Sequence, residues 1–321
     1  MTDYYTLIAD IGGTHARFAL VDPHKNIDHI HVLRGREHAT LWDAYQAYRA
    51  KIPTDIVITK AALAVAGPVT GDRVTITNRD WTFSQTELKQ ALGVSHFAVI
   101  NDFKALALSL PHLVDDDKEA LFTPKQPAVE GPRLVIGPGT GLGVATLVPL
   151  ADGGWLPVPG EGGHVMLPAE NPDEEQLIAG LAEKFSYVSA ERVLSGQGLL
   201  NIYNVLAEDE GVATRYDTPE ALAEAAEQGD DLALQAVEQF CAFLGNVAGN
   251  AALTAGAVGG VYLAGGILPA MRDILRQSEF LQRMHKRDVV SGYMKAIPIW
   301  LITTKLPAFI GLKHFWDDGK E

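Results

Sequence analysis

Two stretches of this chain share one design: an apolar run, a bend rich in glycine, and a second apolar run. In the first, Tyr5 to Asp10 and His15 to Val21 flank Gly12-Gly13-Thr14. In the second, Leu134 to Ile136 and Val144 to Val148 flank Gly137-Pro138-Gly139-Thr140-Gly141-Leu142-Gly143. Each reads as a β-hairpin closed by glycine. No Gly-Lys-Ser/Thr follows the second bend, and a strand rather than a helix continues from it, so neither a Walker loop nor a dinucleotide fingerprint fits. The recurrence suggests a duplicated architecture, although the residues themselves are only loosely similar. At 321 residues the chain exceeds what one hydrophobic core usually holds, so two domains are expected.

Around the hairpins the pattern predicts alternating strands and helices, hence an α/β fold. His29 to Leu33 reads as a third strand and Leu41 to Tyr48 as a helix. Ala61 to Ala66 is a buried strand closed by Gly67-Pro68, with Arg73 to Thr77 as its hairpin partner. Ser84, with Glu87 three residues on, fits a capping box. Phe97 to Ile100 is a strand that delivers Asn101 and Asp102 to its end. Pro111 to Arg133, rich in charge and proline, reads as the passage into the second domain. Helical patterns dominate from Asp173. Val261 to Leu263 and Ile297 to Ile302 read as strands, and the tail after Pro307 as helical. Gln239 to Met271 carries no charge and is long enough to span a bilayer, but Asn246, Asn250 and its glycines favour a buried helix followed by a buried strand.

The formal net charge of -14 excludes nucleic-acid backbones as natural partners. A single cysteine, Cys241, permits neither an internal disulfide nor a cysteine-rich zinc site and fits a reducing cytosol. The N-terminus has no basic stretch followed by an apolar core, so no secretory signal is expected.

The bends are where anions fit. Successive N–H groups in a glycine turn form an anion nest, and Thr14 adds a hydroxyl. Asp10 would repel phosphate but is suited to hold Mg²⁺ through water. The alternative for Asp10-Ile11-Gly12-Gly13-Thr14 is an ordinary hairpin with an aspartate at its mouth. Two such turns in one chain favour a bipartite phosphate clamp. Gly265-Gly266, after a buried strand, either lets an adenosine lie against the backbone or serves close strand–helix packing. Asn101-Asp102 offers either a carboxylate base or an Asx turn or helix cap. Glu161-Gly162-Gly163-His164 sets a carboxylate and an imidazole in a segment nearly free of other charge. Buried there, they would need partners, which sugar hydroxyls, or each other, would supply; metal binding is a third reading, for which too few further ligands are evident. In Val188-Ser189-Ala190-Glu191-Arg192, Ser189 reads as a helix cap, and Glu191 either answers the helix dipole or accepts sugar hydroxyls. Arg and Lys are scarce around both turns, which leaves charge neutralisation to Mg²⁺ and backbone dipoles.

Taken in order along nearly the whole chain, these pieces resemble the bacterial glucokinase family of the actin/hexokinase/Hsp70-like superfamily. The resemblance rests on Asp10 to Thr14, Ala66-Gly67-Pro68-Val69, Thr77-Asn78, Trp81 and Ile100-Asn101-Asp102-Phe103. It continues through Gly137 to Gly143, Pro159 to His164, Val188 to Arg192, Leu194-Ser195-Gly196 and Ala264-Gly265-Gly266-Ile267. It implies a two-domain actin-like (ribonuclease H-like) ATPase fold with an interdomain cleft: a small domain of residues 1–110 plus 301–321 and a large one of 111–300. It implies a cytoplasmic, homodimeric enzyme that phosphorylates the 6-hydroxyl of glucose with ATP and Mg²⁺, with no nucleic-acid or membrane partner. Asp102 would be the base. Asn101, Asp102, Glu161, His164 and Glu191 would bind the sugar. Ala9, Asp10, Ile11, Gly12, Gly13 and Thr14 would hold the ATP phosphates with Gly137, Gly139, Thr140 and Gly141, and Gly265 and Gly266 would lie near the adenosine. The related repressor and kinase group uses the histidine of a similar Glu-x-Gly-His with several cysteines to bind a structural zinc; with only Cys241 in this chain that zinc site is not expected, and Asp10 leaves no room for a helix-turn-helix before it. A kinase for another hexose and a non-catalytic sugar sensor are the rival readings.

Overall fold

In the computed structural model, which describes residues 4–77, 79–127 and 129–316, the chain divides into two compact units. Unit 1 comprises Met1–Leu113 and Lys305–Glu321, and unit 2 comprises Val114–Thr304. Asn78 of the Thr77-Asn78 motif lies outside the described residues.

Unit 1 holds β1 (Tyr4–Ile11), β2 (His15–Val21), β3 (Ile27–Arg34), β4 (Val57–Val65), β5 (Arg73–Thr75), β6 (Thr82–Ser84) and β7 (His96–Asn101). Five of them form a sheet in the order β3-β2-β1-β4-β7. β1, β2 and β3 are antiparallel neighbours, and β4 and β7 run parallel to β1. Side chains alternate across a strand, and here both faces are covered. Leu7, Ala9 and Ile11 pack on one face with Phe18, Leu63 and the helix Leu41–Arg49, through its Leu41, Ala44 and Tyr48. Ile8, Ala62, Ala64 and Ile100 pack on the other, against Phe309 and Leu312 of the helix Pro307–His314. The middle of the central strand, Leu7-Ile8-Ala9, is therefore apolar on both faces, as two-faced burial requires, and Asp10 comes only near its end.

The expected pairing of Arg73 to Thr77 with the Ala61 strand is corrected. β4 is flanked on both sides by β1 and β7 and has no open edge. β5 pairs instead with β6 in a separate ribbon. Ser84 does cap the helix Gln85–Leu92, its Oγ accepting from the Glu87 N–H at 3.1 Å.

Unit 2 holds β8 (Lys118–Phe122), β9 (Arg133–Pro138), β10 (Leu142–Pro149), β11 (Trp155–Gly160), β12 (Gly260–Leu263) and β13 (Ile299–Ile302), in the order β11-β10-β9-β12-β13-β8. Its first five positions repeat unit 1: an antiparallel β9-β10-β11 meander, then two strands parallel to β9. The duplication read from the glycine bends is thus a duplication of sheet order. β8 was hidden in the segment expected to be a passage; it adds antiparallel to β13. β11 was missed because Pro157 and Pro159 break its strand signal; proline lacks the N–H for the ladder and is tolerated at a sheet edge. The uncharged stretch resolves into the buried helix Asp231–Ala255 followed by β12. Among the described residues, no helix is long and apolar enough to cross a membrane.

Candidate active site

In unit 1 the hairpin register sets Asp10 directly opposite Arg17. Arg17 Nη1 donates to Asp10 Oδ2 at 2.8 Å, and the other carboxylate oxygen has no hydrogen-bond donor among the described residues. Burial pushes the Asp10 carboxyl up, and the Arg17 guanidinium opposes this. The bend is closed by Gly12 N–H donating to His15 O at 2.9 Å. Ala9 and Ile11 are buried in the core beneath it, so they shape the turn while Gly13 and Thr14 form its outer side.

β7 delivers the Asn-Asp pair to its end, as expected. Asn101 is the cap of the helix Asp102–Ser109: its Oδ1 accepts from Phe103 N–H at 2.9 Å and Lys104 N–H at 3.2 Å. Its Nδ2 donates to Gly67 O at 3.2 Å. The amide thus ties two segments together. Asp102 opens the helix and accepts a 2.9 Å hydrogen bond from Phe103 N–H. Its carboxyl is pushed up to about 6, chiefly by burial and further by the charge of Asp10, against the pull of the Phe103 N–H. Such a carboxylate is ionised near neutral pH yet far more basic than an ordinary aspartate, which is what a general base needs.

In unit 2 the second bend and Glu191 meet, which spacing alone did not reveal. Glu191 Oε2 accepts from Leu142 N–H at 2.8 Å. A Cβ on Gly141 would stand 2.4 Å from the same oxygen, so glycine is required for this approach. Gly139 N–H is used within the turn, donating to Gly141 O at 2.8 Å. Thr140 and Gly141 keep backbone N–H groups with no protein acceptor among the described residues. The helix Gly196–Glu210 begins against this bend, with Gly196 N–H donating to Gly139 O at 2.8 Å and Ser195 capping Gly198. Its N-terminal partial positive charge therefore adds to the turn.

Three expectations change. Glu161 and His164 are not buried: their side chains are 78% and 60% exposed, and 3.9 Å separates them, beyond a hydrogen bond. Gly163 holds their turn against β10, where a Cβ would stand 2.1 Å from Leu142 O, and this leaves both polar groups facing outward. Ser189 makes no side-chain cap; Ala190–Arg192 is a single 3-10 turn. Arginine is not scarce at the first bend: besides Arg17, Arg79 donates through Nη2 to Gly13 O at 2.6 Å. Arg17 was legible in the hairpin register; Arg79, 66 residues from Gly13, carried no signal.

Of the Gly265-Gly266 pair, the first serves packing. Gly265 has φ +99°, and a Cβ there would meet Pro138 O at 2.0 Å. Gly266 has open space on its Cβ side and is the one suited to a ligand's approach.

Repeated sheets of this order, each carrying a glycine-closed hairpin, with a base-like carboxylate at a strand end, place the chain among sugar kinases of the actin-like fold. A family model described as Glucokinase matches residues 7–318, and the chain belongs to that family. It is 43% identical to the glucokinase of Paramagnetospirillum magneticum over 98% of each chain. It superposes on the crystal structure of a glucokinase from an Antarctic psychrotroph with a TM-score of 0.85, at 34% identity and covering 98% of this chain and 99% of that one. A likeness of fold alone, with TM-score 0.66 at 19% identity over 98% of this chain and 100% of the other, links it to a ROK family glucokinase from Streptomyces griseus solved with glucose and AMPPNP.

Proposed function

We propose that the chain transfers the terminal phosphoryl group of ATP to the 6-hydroxyl of glucose, giving glucose 6-phosphate and ADP. The observation that carries this reading is Asp102, a carboxyl raised to about 6 at the head of a helix, in the same unit as the Asp10 bend. Asn101, Asp102, Glu161, His164 and Glu191 are the residues that bind the sugar hydroxyls in this reading. The exposure of Glu161 and His164 supports this role, since groups already satisfied by the fold would have little left to offer a sugar. Asp102 orients the 6-hydroxyl and takes its proton as the new O–P bond forms and the bond to ADP breaks. Phosphoryl transfer asks mainly for positioning and charge stabilisation.

The phosphates are held by the Asp10–Thr14 bend, by Thr140 and Gly141, and by the N-terminus of the helix Gly196–Glu210, and Gly266 adjoins the adenosine. The oxygen of Asp10 that Arg17 leaves over, a hard donor suited to water-mediated contact, fits Mg²⁺. When bound, that ion supplies charge neutralisation to the phosphates. Units 1 and 2 are taken as the small and large domains. We extend the reading to a cytoplasmic enzyme, on the single cysteine, and to a homodimer. The exposed apolar side chains Leu156, Val158, Val165 and Met166 in unit 2 support the dimer, and sedimentation velocity tests it.

The deciding measurement is ADP release with Mg²⁺ and a panel of glucose, mannose, fructose and N-acetylglucosamine, with a no-sugar control. Glucose-dependent ADP release with phosphate on O6 is expected. Glucose binding without ADP release would reject the reading in favour of a sensor.

A further inference from the structure

Beside the first bend, unit 1 contains a cavity of about 660 Å³ lined by Thr14, His15, Arg34, Arg36, Arg79 and Trp81, among others. Three arginines face it against one acid, Asp80, in a chain whose formal net charge is -14. Among the described residues neither Arg34 nor Arg36 has an ion-pair partner. Clustering like charges is unfavourable unless something of opposite charge completes the cluster.

Arg79 is the best-held of the three. Its Nε and Nη2 donate to Gly13 O at 3.1 and 2.6 Å. Its guanidinium lies 4.1 Å from the centre of the Trp81 ring. Trp81 is itself anchored by donating Nε1–H to His38 O at 3.2 Å. Gly35 admits the guanidinium from below, since any Cβ there would overlap it. The arginine is thus fixed before any ligand arrives, yet Nη1 is buried with no acceptor among the described residues. An unpaired buried charged donor is costly and calls for a partner. The field is felt by His15, whose imidazole is held below its usual range by burial and by Arg17, Arg34 and Arg79.

We propose that this cavity is an anion pocket for a phosphate group, with Arg79 linking it to the Gly13 carbonyl of the first bend. The pocket exceeds the needs of a bare phosphate, so the natural occupant is a phosphate ester. Its source is either the terminal phosphate of the nucleotide or the phosphate of the sugar product. Only that choice of sources rests on the kinase reading above; the pocket itself does not.

Two measurements on the full chain test it. Inorganic phosphate is titrated calorimetrically at low and moderate ionic strength into wild type, Arg79→Gln and the double variant Arg34→Gln/Arg36→Gln. Saturable binding is expected, weaker at higher salt and weaker by about tenfold in each variant, as for loss of a charge-assisted contact. Because Arg34 and Arg36 are exposed, the double variant stays folded even if Arg79→Gln does not. No saturable binding, or equal binding by all three proteins, overturns the proposal. Initial rates then separate the sources. A raised KM for ATP with unchanged inhibition by glucose 6-phosphate assigns the nucleotide; weaker inhibition with unchanged KM assigns the product. If both are unchanged, the pocket is not a phosphate site of this reaction and the proposal falls. A wild-type protein that binds phosphate but releases no ADP would sink the kinase reading and leave the pocket standing.

Discussion

The two units carry the same five-strand order and the same glycine-closed hairpin, but the bends are finished in opposite ways. In unit 1 the surroundings are basic: Arg17 pairs with Asp10, and Arg79 grips the Gly13 carbonyl. In unit 2 a carboxylate, Glu191, already occupies the Leu142 N–H. Their buried carboxylates differ as well. Glu174 of unit 2 is fully buried but answered by Arg283 at 3.0 Å, Gln239 at 3.2 Å and the Glu170 N–H at 2.7 Å. Asp102 of unit 1 has no cation partner among the described residues and is answered mainly by a backbone N–H. A duplicated topology therefore does not duplicate chemistry. The paired carboxylate is held by its partners, and the unpaired one keeps a carboxyl raised to about 6, the condition a general base requires.

The largest expected effect falls on the unpaired carboxylate. Asp102→Asn keeps the shape and a hydrogen-bond acceptor but removes the base, so kcat drops by about 10²–10⁴ while calorimetric glucose binding persists. Near-wild-type turnover would abolish the distinction between the two carboxylates. The paired one is tested by Arg283→Leu, which strands Glu174 in the core, frees Glu279 and leaves Glu170 with Lys286 alone. Removing one partner of a buried pair costs about 3–5 kcal/mol, read as a lower urea midpoint. If the midpoint stays put, Glu174 is answered well enough by Gln239 and the backbone.

The bends are compared next. Gly141→Ala drives a methyl group onto Glu191 Oε2, and displacing that carboxylate by about 1 Å lowers kcat/KM by up to about 10²-fold. Gly139→Ala, two residues away, meets nothing within 4 Å and serves as the control. Equal losses in the two variants would show that backbone freedom, not the Glu191 contact, is what the second bend needs.

Much of this was legible because it is local. The bends, the Asn101-Asp102 position at a strand end and the Leu41–Arg49 helix follow from period and turn chemistry over a few residues. What escaped depends on distant parts of the chain. Which strand takes Arg73–Thr75 is decided by whether β4 has an open edge, a property of the sheet and not of the segment. The outward aim of Glu161 and His164 is decided by Gly163 lying on the Leu142 carbonyl. Apolar neighbours suggested burial, but a one-turn segment on a sheet rim shows its polar side chains to water. Arg79 reaches Gly13 across a fold, and no spacing rule encodes that.

The smallest effect follows from the Asp102 carboxyl being raised from 3.8 to about 6. Below pH 4 it is protonated in the folded and unfolded chains alike, so its titration contributes nothing to stability. Between pH 4 and 6 the unfolded chain has shed a proton that the folded one retains. Stability therefore falls with rising pH across that window, and above it both states are charged and the folded one carries the full penalty. Asp102→Asn escapes this penalty. The variant should be more stable than wild type by about 1–3 kcal/mol at pH 7, and the gain should fade toward pH 4. Urea midpoints at pH 4, 5.5 and 7 measure it. A gain independent of pH would assign it to a cause other than desolvated charge. A loss at pH 7 would mean that the Phe103 N–H contact with the carboxylate outweighs its burial, and that Asp102, like Glu174, is a carboxylate satisfied by its own fold.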